Sequence, residues 1–512
     1  SINFIFLVII LNLLKGTVNA HNTSEKKKVE IITKKNRGQI LDREGNIISA
    51  SILLKDLYLD SKKIIDKKNT EERLKIIFPK KHADFFKNIF KKNEYKLIKK
   101  HLSKETEFEI KKIGEPGLIF QNSVKRVYPQ NNLFSQSTGF MSRHGSPQSK
   151  LEKNLDKHLS NGENITLTLN LQVQNIIYQE IKKSMLKFNS KGAGAVLINV
   201  NDGEILSLVS LPDFDPNHPS LIKPFTENNL ITTSRFEMGS TLKIFNAAMA
   251  YENNSINDKE LFDVSNNYQL TKRHIIKDDF LSKEPINFET IFTKSSNIGS
   301  IQVLEKVGIE KQQIFLEKLG FKSSTNIKGL STLENSLPDN WNKEISKSIS
   351  FGYGISMTPI NLVKSFSVLV NGGYEIYPNI ILEEKKRKEI NRILDLKTSI
   401  KINKLLEKIV IEGTGKNAKV NGLNVGGKTG TAKKSHNGNY SKDKIVTSFI
   451  GAFPISKPEY LLFIIYDEPK DLKKINKFYG GNTAAPIFSN IVKKIAPILK
   501  IKTNSIKKKI IF

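Results

Sequence analysis

Met238-Gly239-Ser240-Thr241-Leu242-Lys243-Ile244-Phe245-Asn246-Ala247-Ala248-Met249-Ala250 decides how the rest of the chain is read. A glycine break feeds a largely apolar run, the pattern of a buried helix, yet Ser240 and Lys243 stand at its start. Residues three apart share one helix face, so the amine of Lys243 can reach the Ser240 hydroxyl. An alcohol becomes a useful nucleophile when a base takes its proton. A lysine has no structural reason to begin a buried helix, whereas nucleophile activation supplies one. At a helix start the backbone N–H of Ser240 is also unpaired and can stabilise an oxyanion. Ser-x-x-Lys alone is a weak signal, since it recurs at Ser24, Ser184, Ser441 and Ser505. The glycine break and the apolar run set Ser240 apart from these.

Two further motifs follow in order. Ser295-Ser296-Asn297 is a Ser-x-Asn, a pattern also met at Ser255, Ser265, Ser324 and Ser435. Lys428-Thr429-Gly430-Thr431 occurs once and lies on an apparent strand. Gly430 lacks a side chain there, which would let a substrate backbone approach closely. Thr429 and Thr431 supply hydroxyls and Lys428 a charge. Taken singly, each motif reads as ordinary surface or hairpin sequence. The three together, on helix, loop and strand, form the combination used by penicillin-binding proteins and class A β-lactamases.

The flanking chain sets the organisation. Arg37 to Gly45 reads as a strand entering a turn at Glu44-Gly45, and Ser61 to Lys112 reads as charged, one-sided helices. Gly114-Glu115-Pro116-Gly117 is a turn, and a short strand region runs to Pro129. Leu151 to Leu159 is amphipathic, Ile165 to Leu169 alternates like a strand, and Leu171 to Phe188 reads as a helix. Ala193 to Asn199 and Glu204 to Ser210 are apolar strands around the hairpin signal Asn201-Asp202-Gly203. Helical stretches fill much of Thr241 to Gly415. Gly426 to Lys434 and Val446 to Phe453 form a second hairpin through Asn437-Gly438. Tyr460 to Tyr466 is a strand and Thr483 to Leu499 a closing helix. One antiparallel sheet is therefore expected to draw strands from both ends of the second half, with helices between.

On these residues the chain resembles the class B penicillin-binding proteins of the septal, FtsI type. Arg37 to Gly45, Gly117 to Phe120, Arg126-Val127-Tyr128-Pro129 and Leu151-Glu152-Lys153 resemble the family's non-catalytic module. Ser210 to Asn217, Phe351 to Gly354, Thr358-Pro359, Gly413-Thr414-Gly415, Gly426 to Ala432, Tyr479-Gly480-Gly481 and Ala484-Ala485-Pro486 resemble its transpeptidase domain. Ser295 to Gly299 resembles the septal subgroup, whose elongation-type relatives usually carry Asp at the position of Asn297. Leu230 departs from the family, which often has Arg there.

The resemblance implies an α+β multidomain chain. Residues 1–20 would be a membrane anchor or signal segment, and 21–160 an extended α/β pedestal or dimerisation-type module. Residues 161–500 would be the transpeptidase domain, an antiparallel sheet with helices on both faces, and 501–512 a basic tail. It also implies peptidoglycan D,D-transpeptidation without cofactor or metal. Ser240 would attack the D-Ala-D-Ala bond of a stem peptide, and an amine of a second strand would resolve the acyl-enzyme. Lys243 would be the base, its pKa lowered by burial and by the charge of Lys428. Ser295 would relay the proton to the leaving group and Asn297 would hold the substrate amide. Lys428, Thr429, Gly430 and Thr431 would bind the terminal carboxylate. The backbone N–H groups of Ser240 and Thr431 would form the oxyanion hole. β-Lactams would acylate Ser240. A SEDS-type glycan polymerase and other division proteins are the implied partners, and the inner membrane the implied location, with one span and a periplasmic catalytic domain.

Composition bounds these readings. The 512 residues call for more than one domain. With no cysteine, disulfides, thiolate metal sites and a Cys nucleophile are excluded, and the eight histidines are scattered without a metal-type pair. The formal charge of +30 suits a chain rich in Lys, Ile and Asn, or attraction to an anionic surface. The lysines are spread out and no nucleic-acid-binding signature accompanies them. Ile2 to Leu14 is almost wholly apolar but shorter than a span of roughly 17–25 residues, and Val18-Asn19-Ala20 resembles a cleavage site. Three alternatives compete: a D,D-carboxypeptidase, a β-lactamase-like hydrolase, and a divisome scaffold with secondary catalysis. A β-lactamase would leave Arg37 to Leu159 without a purpose.

Overall fold

The computed structural model describes residues 36–502 apart from 83, 93, 258, 273, 281, 384–390, 437–438 and 471–477. The expected membrane segment, nearly all of the Lys-rich stretch after it, the Asn437-Gly438 turn and most of the basic tail lie outside the described residues. Among the described residues, no helix is long and apolar enough to cross a membrane.

The second half is built on one antiparallel sheet. Its strand order is Gly426–His436, Asn439–Phe453, Tyr460–Asp467, Gly192–Asn199 and Ile205–Leu211. Strands from the two ends of the domain thus meet where Tyr460 to Asp467 pairs with Asn199 to Gly192. The central strand Tyr-Leu-Leu-Phe-Ile-Ile-Tyr-Asp is apolar up to its last residue, Asp467, because helices cover both faces. Leu461, Phe463 and Ile465 join the core that contains the Ser240-side helices, whereas Leu462, Ile464 and Tyr466 pack with helices Leu171–Lys187 and Ala484–Ile495. Adjacent residues point to opposite faces, and both destinations are dry.

Helix Lys243–Glu252 lies at the centre of the first core. Lys243 to Ala250 are all buried, Lys243 at 1% exposure. Helices Asn297–Val307, Pro359–Val370 and Leu396–Ile411 pack around it. The strand hydroxyls and the loop motif are thereby brought to the same end of this helix.

The N-terminal module is a smaller sheet. The long strand Ile47–Asp60 pairs with Tyr95–Leu102 and Leu118–Val127, and with Ile40–Leu41, which in turn pairs in parallel with Ile165–Thr166. The expected helical stretch from Ser61 to Lys112 is corrected here. Helices Lys67–Ile77, Phe85–Lys92 and Lys104–Lys111 are present, but Tyr95–Leu102 is a strand. Ile98 and Leu102 are its buried residues and share one face, but Lys100 between them is exposed, and the pairing register with Ile47–Asp60 shifts on either side of Leu57. The expected strand Ile165 to Leu169 shortens to Ile165–Thr166.

Resemblance segments of the N-terminal module knit it together around Glu152 and tie it to the chain that follows. Glu152, fully buried, accepts from Arg37 Nε and Arg126 Nε, each at 2.8 Å, and from the Ser49 and Tyr128 hydroxyls. Asp42 accepts from the N–H of Leu171 at 2.9 Å, at the first turn of the catalytic module's helix. The Asn217 side chain exchanges two 3.0 Å hydrogen bonds with the backbone of Tyr128.

Candidate active site

Ser240 sits in a 3-10 turn, Gly239–Thr241, immediately before helix Lys243–Glu252. The turn presses against the strand carrying Lys428 to Thr431. Gly239 has a φ of 54°, and a Cβ there would lie 2.3 Å from the carbonyl oxygen of Thr431. Only glycine accepts both that conformation and that approach. The missing side chain of Gly430 is also turned to the protein. A Cβ at Gly430 would lie 2.3 Å from Ser448 Oγ and 2.9 Å from the Met238 carbonyl oxygen and Thr241 Cγ2. The room expected for substrate on that side is filled by the nucleophile turn itself.

The strand Gly426–His436 is at the edge of the sheet. Lys433 N–H donates to the Tyr353 hydroxyl at 3.3 Å, away from the paired strand. Alternate N–H groups of a strand point the same way, so the Thr431 N–H also faces the free edge, toward the Ser240 turn. The N–H of Ser240 and its hydroxyl have no hydrogen-bond partner among the described residues. Two donors are thus available beside a partly exposed hydroxyl.

Lys243 does not bond to Ser240. Its amine donates to the Ser295 carbonyl oxygen at 2.6 Å, to Ser295 Oγ at 3.2 Å and to Asn297 Oδ1 at 2.6 Å. Lys428 reaches the same Ser295 hydroxyl from the other side, at 3.1 Å. Both amines are buried. Burial holds Lys243 down to about 7, and the charges of Asp278 and Asp279 oppose that fall. Lys428 is pushed well below the ordinary lysine range, by burial first and by Lys243 second. The charge effect between the lysines therefore acts on Lys428, and burial alone depresses Lys243. Like charges facing one buried hydroxyl cannot both stay protonated cheaply.

Ser295 occupies the link between helices Phe288–Thr293 and Asn297–Val307, with a φ of 63°. A left-handed serine is uncommon and is held by its surroundings. Asn297 is more engaged than expected: its Oδ1 takes the Lys243 amine while its Nδ2 donates to the Lys277 carbonyl at 2.9 Å. Thr429 and Thr431 are held from outside the motif, by Thr414 Oγ1 at 3.0 Å and by the Gly480 N–H at 3.1 Å. All eight residues expected from sequence lie in this neighbourhood. Sequence reading missed the supports, namely Asp278, Lys277, Glu237 and Tyr440. Glu237, three residues before Ser240, accepts from the Gly354 N–H at 2.7 Å and the Tyr440 hydroxyl at 3.0 Å. Beyond Thr431 a groove of about 1000 Å³ opens along the strand edge, lined by Arg235, Glu237, Leu337, Ala432, Lys433 and Tyr440.

The penicillin binding protein transpeptidase domain matches residues 193–493, and the penicillin-binding protein dimerisation domain matches residues 32–192. The chain belongs to the penicillin-binding proteins. A probable peptidoglycan D,D-transpeptidase FtsI of Caulobacter vibrioides is 30% identical over 485 residues, covering 91% of this chain and 82% of the relative. The peptidoglycan D,D-transpeptidase FtsI of Buchnera aphidicola subsp. Baizongia pistaciae is 28% identical, with 92% and 88% covered. Stage V sporulation protein D of Bacillus subtilis is 29% identical, with 92% and 80% covered. The fold is shared with a peptidoglycan synthetase from Bifidobacterium adolescentis, at a TM-score of 0.71 and 19% identity, over 92% of this chain and 97% of that one. In this penicillin-binding protein the matched transpeptidase region contains every candidate site residue.

Proposed function

We propose that this penicillin-binding protein is a septal peptidoglycan D,D-transpeptidase acting through a Ser240 acyl-enzyme. The Ser295 hydroxyl, bridging the amines of Lys243 and Lys428, carries the reading. It gives a proton route between a base near the nucleophile and a group at the leaving side.

With its pKa near 7, Lys243 is substantially neutral at physiological pH. Catalytic hydrogen bonds often tighten only when substrate arrives, and the neutral amine then takes the Ser240 proton. Oγ attacks the carbonyl of the penultimate D-Ala, and the oxyanion is stabilised by the N–H groups of Ser240 and Thr431. The C–N bond breaks, and Ser295 delivers a proton to the departing D-Ala, refilled from the lysine pair. An amine of a second stem then attacks the ester, its proton returns through the same groups, and Ser240 is released. Lys428, Thr429 and Thr431 hold the terminal carboxylate, and the groove beyond Thr431 takes the upstream stem.

The FtsI names of the relatives support use in cell division. A SEDS-type glycan polymerase and other division proteins are the proposed partners. The apolar run Ile2 to Leu14 supports export across the inner membrane, as an anchor or as a signal segment, with the catalytic domain in the periplasm. The test supplies glycan strands with pentapeptide stems. D-Ala release with formation of cross-linked dimers, both lost in Ser240→Ala, is the expected result. D-Ala release without dimers, the acyl group passing to water, would instead mark a carboxypeptidase.

A further inference from the structure

Asp278 lies outside the three motifs, 17 residues before Ser295, yet its carboxylate meets Ser296 and Asn297 of the loop motif and Ile298 just after it. Oδ1 accepts from the N–H groups of Asn297 and Ile298, the latter at 3.2 Å, and Oδ2 accepts from the Ser296 hydroxyl. The carboxylate is buried, at 9% exposure. It stands at the N-terminus of helix Asn297–Val307, where an anion is favoured and its hydrogen bonds are charge-assisted. Ser296 Oγ in turn caps this helix through the Gly299 N–H at 2.8 Å. The neighbouring Lys277 carbonyl holds the Asn297 side chain.

We infer that Asp278 is the positioning residue that fixes the Ser295–Asn297 turn and, through it, the proton route between Lys243 and Lys428. The inference rests on the transpeptidase reading above. Ser295, in its left-handed conformation, is followed at once by the three residues that Asp278 grips. The turn is also held by the Ser296 N–H on the Ile291 carbonyl at 2.8 Å and by the Lys243 amine on the Ser295 carbonyl at 2.6 Å, but the Asp278 carboxylate is the charged group that engages three of its successive residues. The charge of Asp278 also acts on Lys243, favouring its protonated form together with Asp279 and against the burial of the amine. Lys428 is the other charged group facing Lys243.

The experiment measures the acylation rate constant with a fluorescent penicillin across pH, on the full chain, for wild type, Asp278→Asn and Ser296→Ala, with melting temperatures alongside. Asp278→Asn keeps the shape and removes the charge. Its plateau rate is expected to fall about tenfold, and its pH midpoint to move down by up to about one unit. The downward shift follows because Lys243 loses a neighbour that favours its charged form, an effect that loosened packing alone would not produce. Ser296→Ala leaves the charge and removes one contact, so a fall of about threefold with an unmoved midpoint is expected. A folded Asp278→Asn with wild-type rate and midpoint overturns the inference. If Asp278→Asn does not fold, an unchanged rate in Ser296→Ala overturns it instead. A wild type that takes no penicilloyl group overturns the transpeptidase reading itself, and the positioning role with it.

Discussion

Lys243 and Asn297 are joined by a 2.6 Å hydrogen bond from the amine to the side-chain oxygen, which holds the base away from Ser240 in the free enzyme. The base must lose its proton before it can serve the nucleophile. With Lys243 held to about 7 by burial, the penicillin acylation rate should rise with pH through a midpoint near 7 and then level off. Below the midpoint Lys243 is charged and the rate should fall about tenfold per pH unit. Stopped-flow acylation between pH 5 and 9 checks this, and a midpoint above 9 would contradict it.

Ser295→Ala removes the hydroxyl that both lysines contact. Acid–base contributions of this kind are worth about 10²–10⁴ in rate, so acylation should slow by at least about a hundredfold. Two buried amines also lose an acceptor, worth about 1–3 kcal/mol of stability, so the melting temperature should fall modestly while the protein stays folded. Rate and melting are measured on the same preparation.

Gly430→Ala places a methyl against Ser448, Met238 and Thr241. Overpacking of this sort costs about 1–3 kcal/mol, and relief comes most easily by pushing the Ser240 turn away. Displacements near 1 Å can cost about a hundredfold in rate. A lower melting temperature with acylation reduced by about that factor is the expected pair of results.

Glu152→Ala strips Arg37 and Arg126 of their shared buried carboxylate. Breaking a buried ion pair from one side costs about 3–5 kcal/mol. The loss should appear as an early transition in chemical denaturation, with penicillin acylation of the folded protein retained. Loss of acylation without loss of stability would contradict a purely structural role for this cluster.

The catalytic sheet was legible because each strand had an unambiguous pattern. Tyr460 to Tyr466 is apolar on both faces, and Asn201-Asp202-Gly203 marks the hairpin between Gly192–Asn199 and Ile205–Leu211. The site was legible because Lys243 has no structural reason to begin a buried helix, and Lys428-Thr429-Gly430-Thr431 occurs once. Tyr95 to Leu102 was not legible, since exposed Lys100 stands where an apolar residue would have completed the alternation between Ile98 and Leu102. Asp278 was not legible either. A carboxylate in a charged run carries no local mark of the helix end it meets after folding. The direction of the missing Gly430 side chain could not be read from a strand pattern, because it depends on which element packs against the edge. Lys243's partners were hidden for a similar reason: helical spacing placed it near Ser240, while its bonds go to a loop distant in sequence.

The central claim is that Ser240 carries the acyl group. Incubation with a penicillin, followed by intact mass and peptide mapping, tests it most directly. One penicilloyl adduct is expected on the peptide containing Ser240, absent from a folded Ser240→Ala. No adduct on the wild type, or an undiminished adduct on Ser240→Ala, would contradict it.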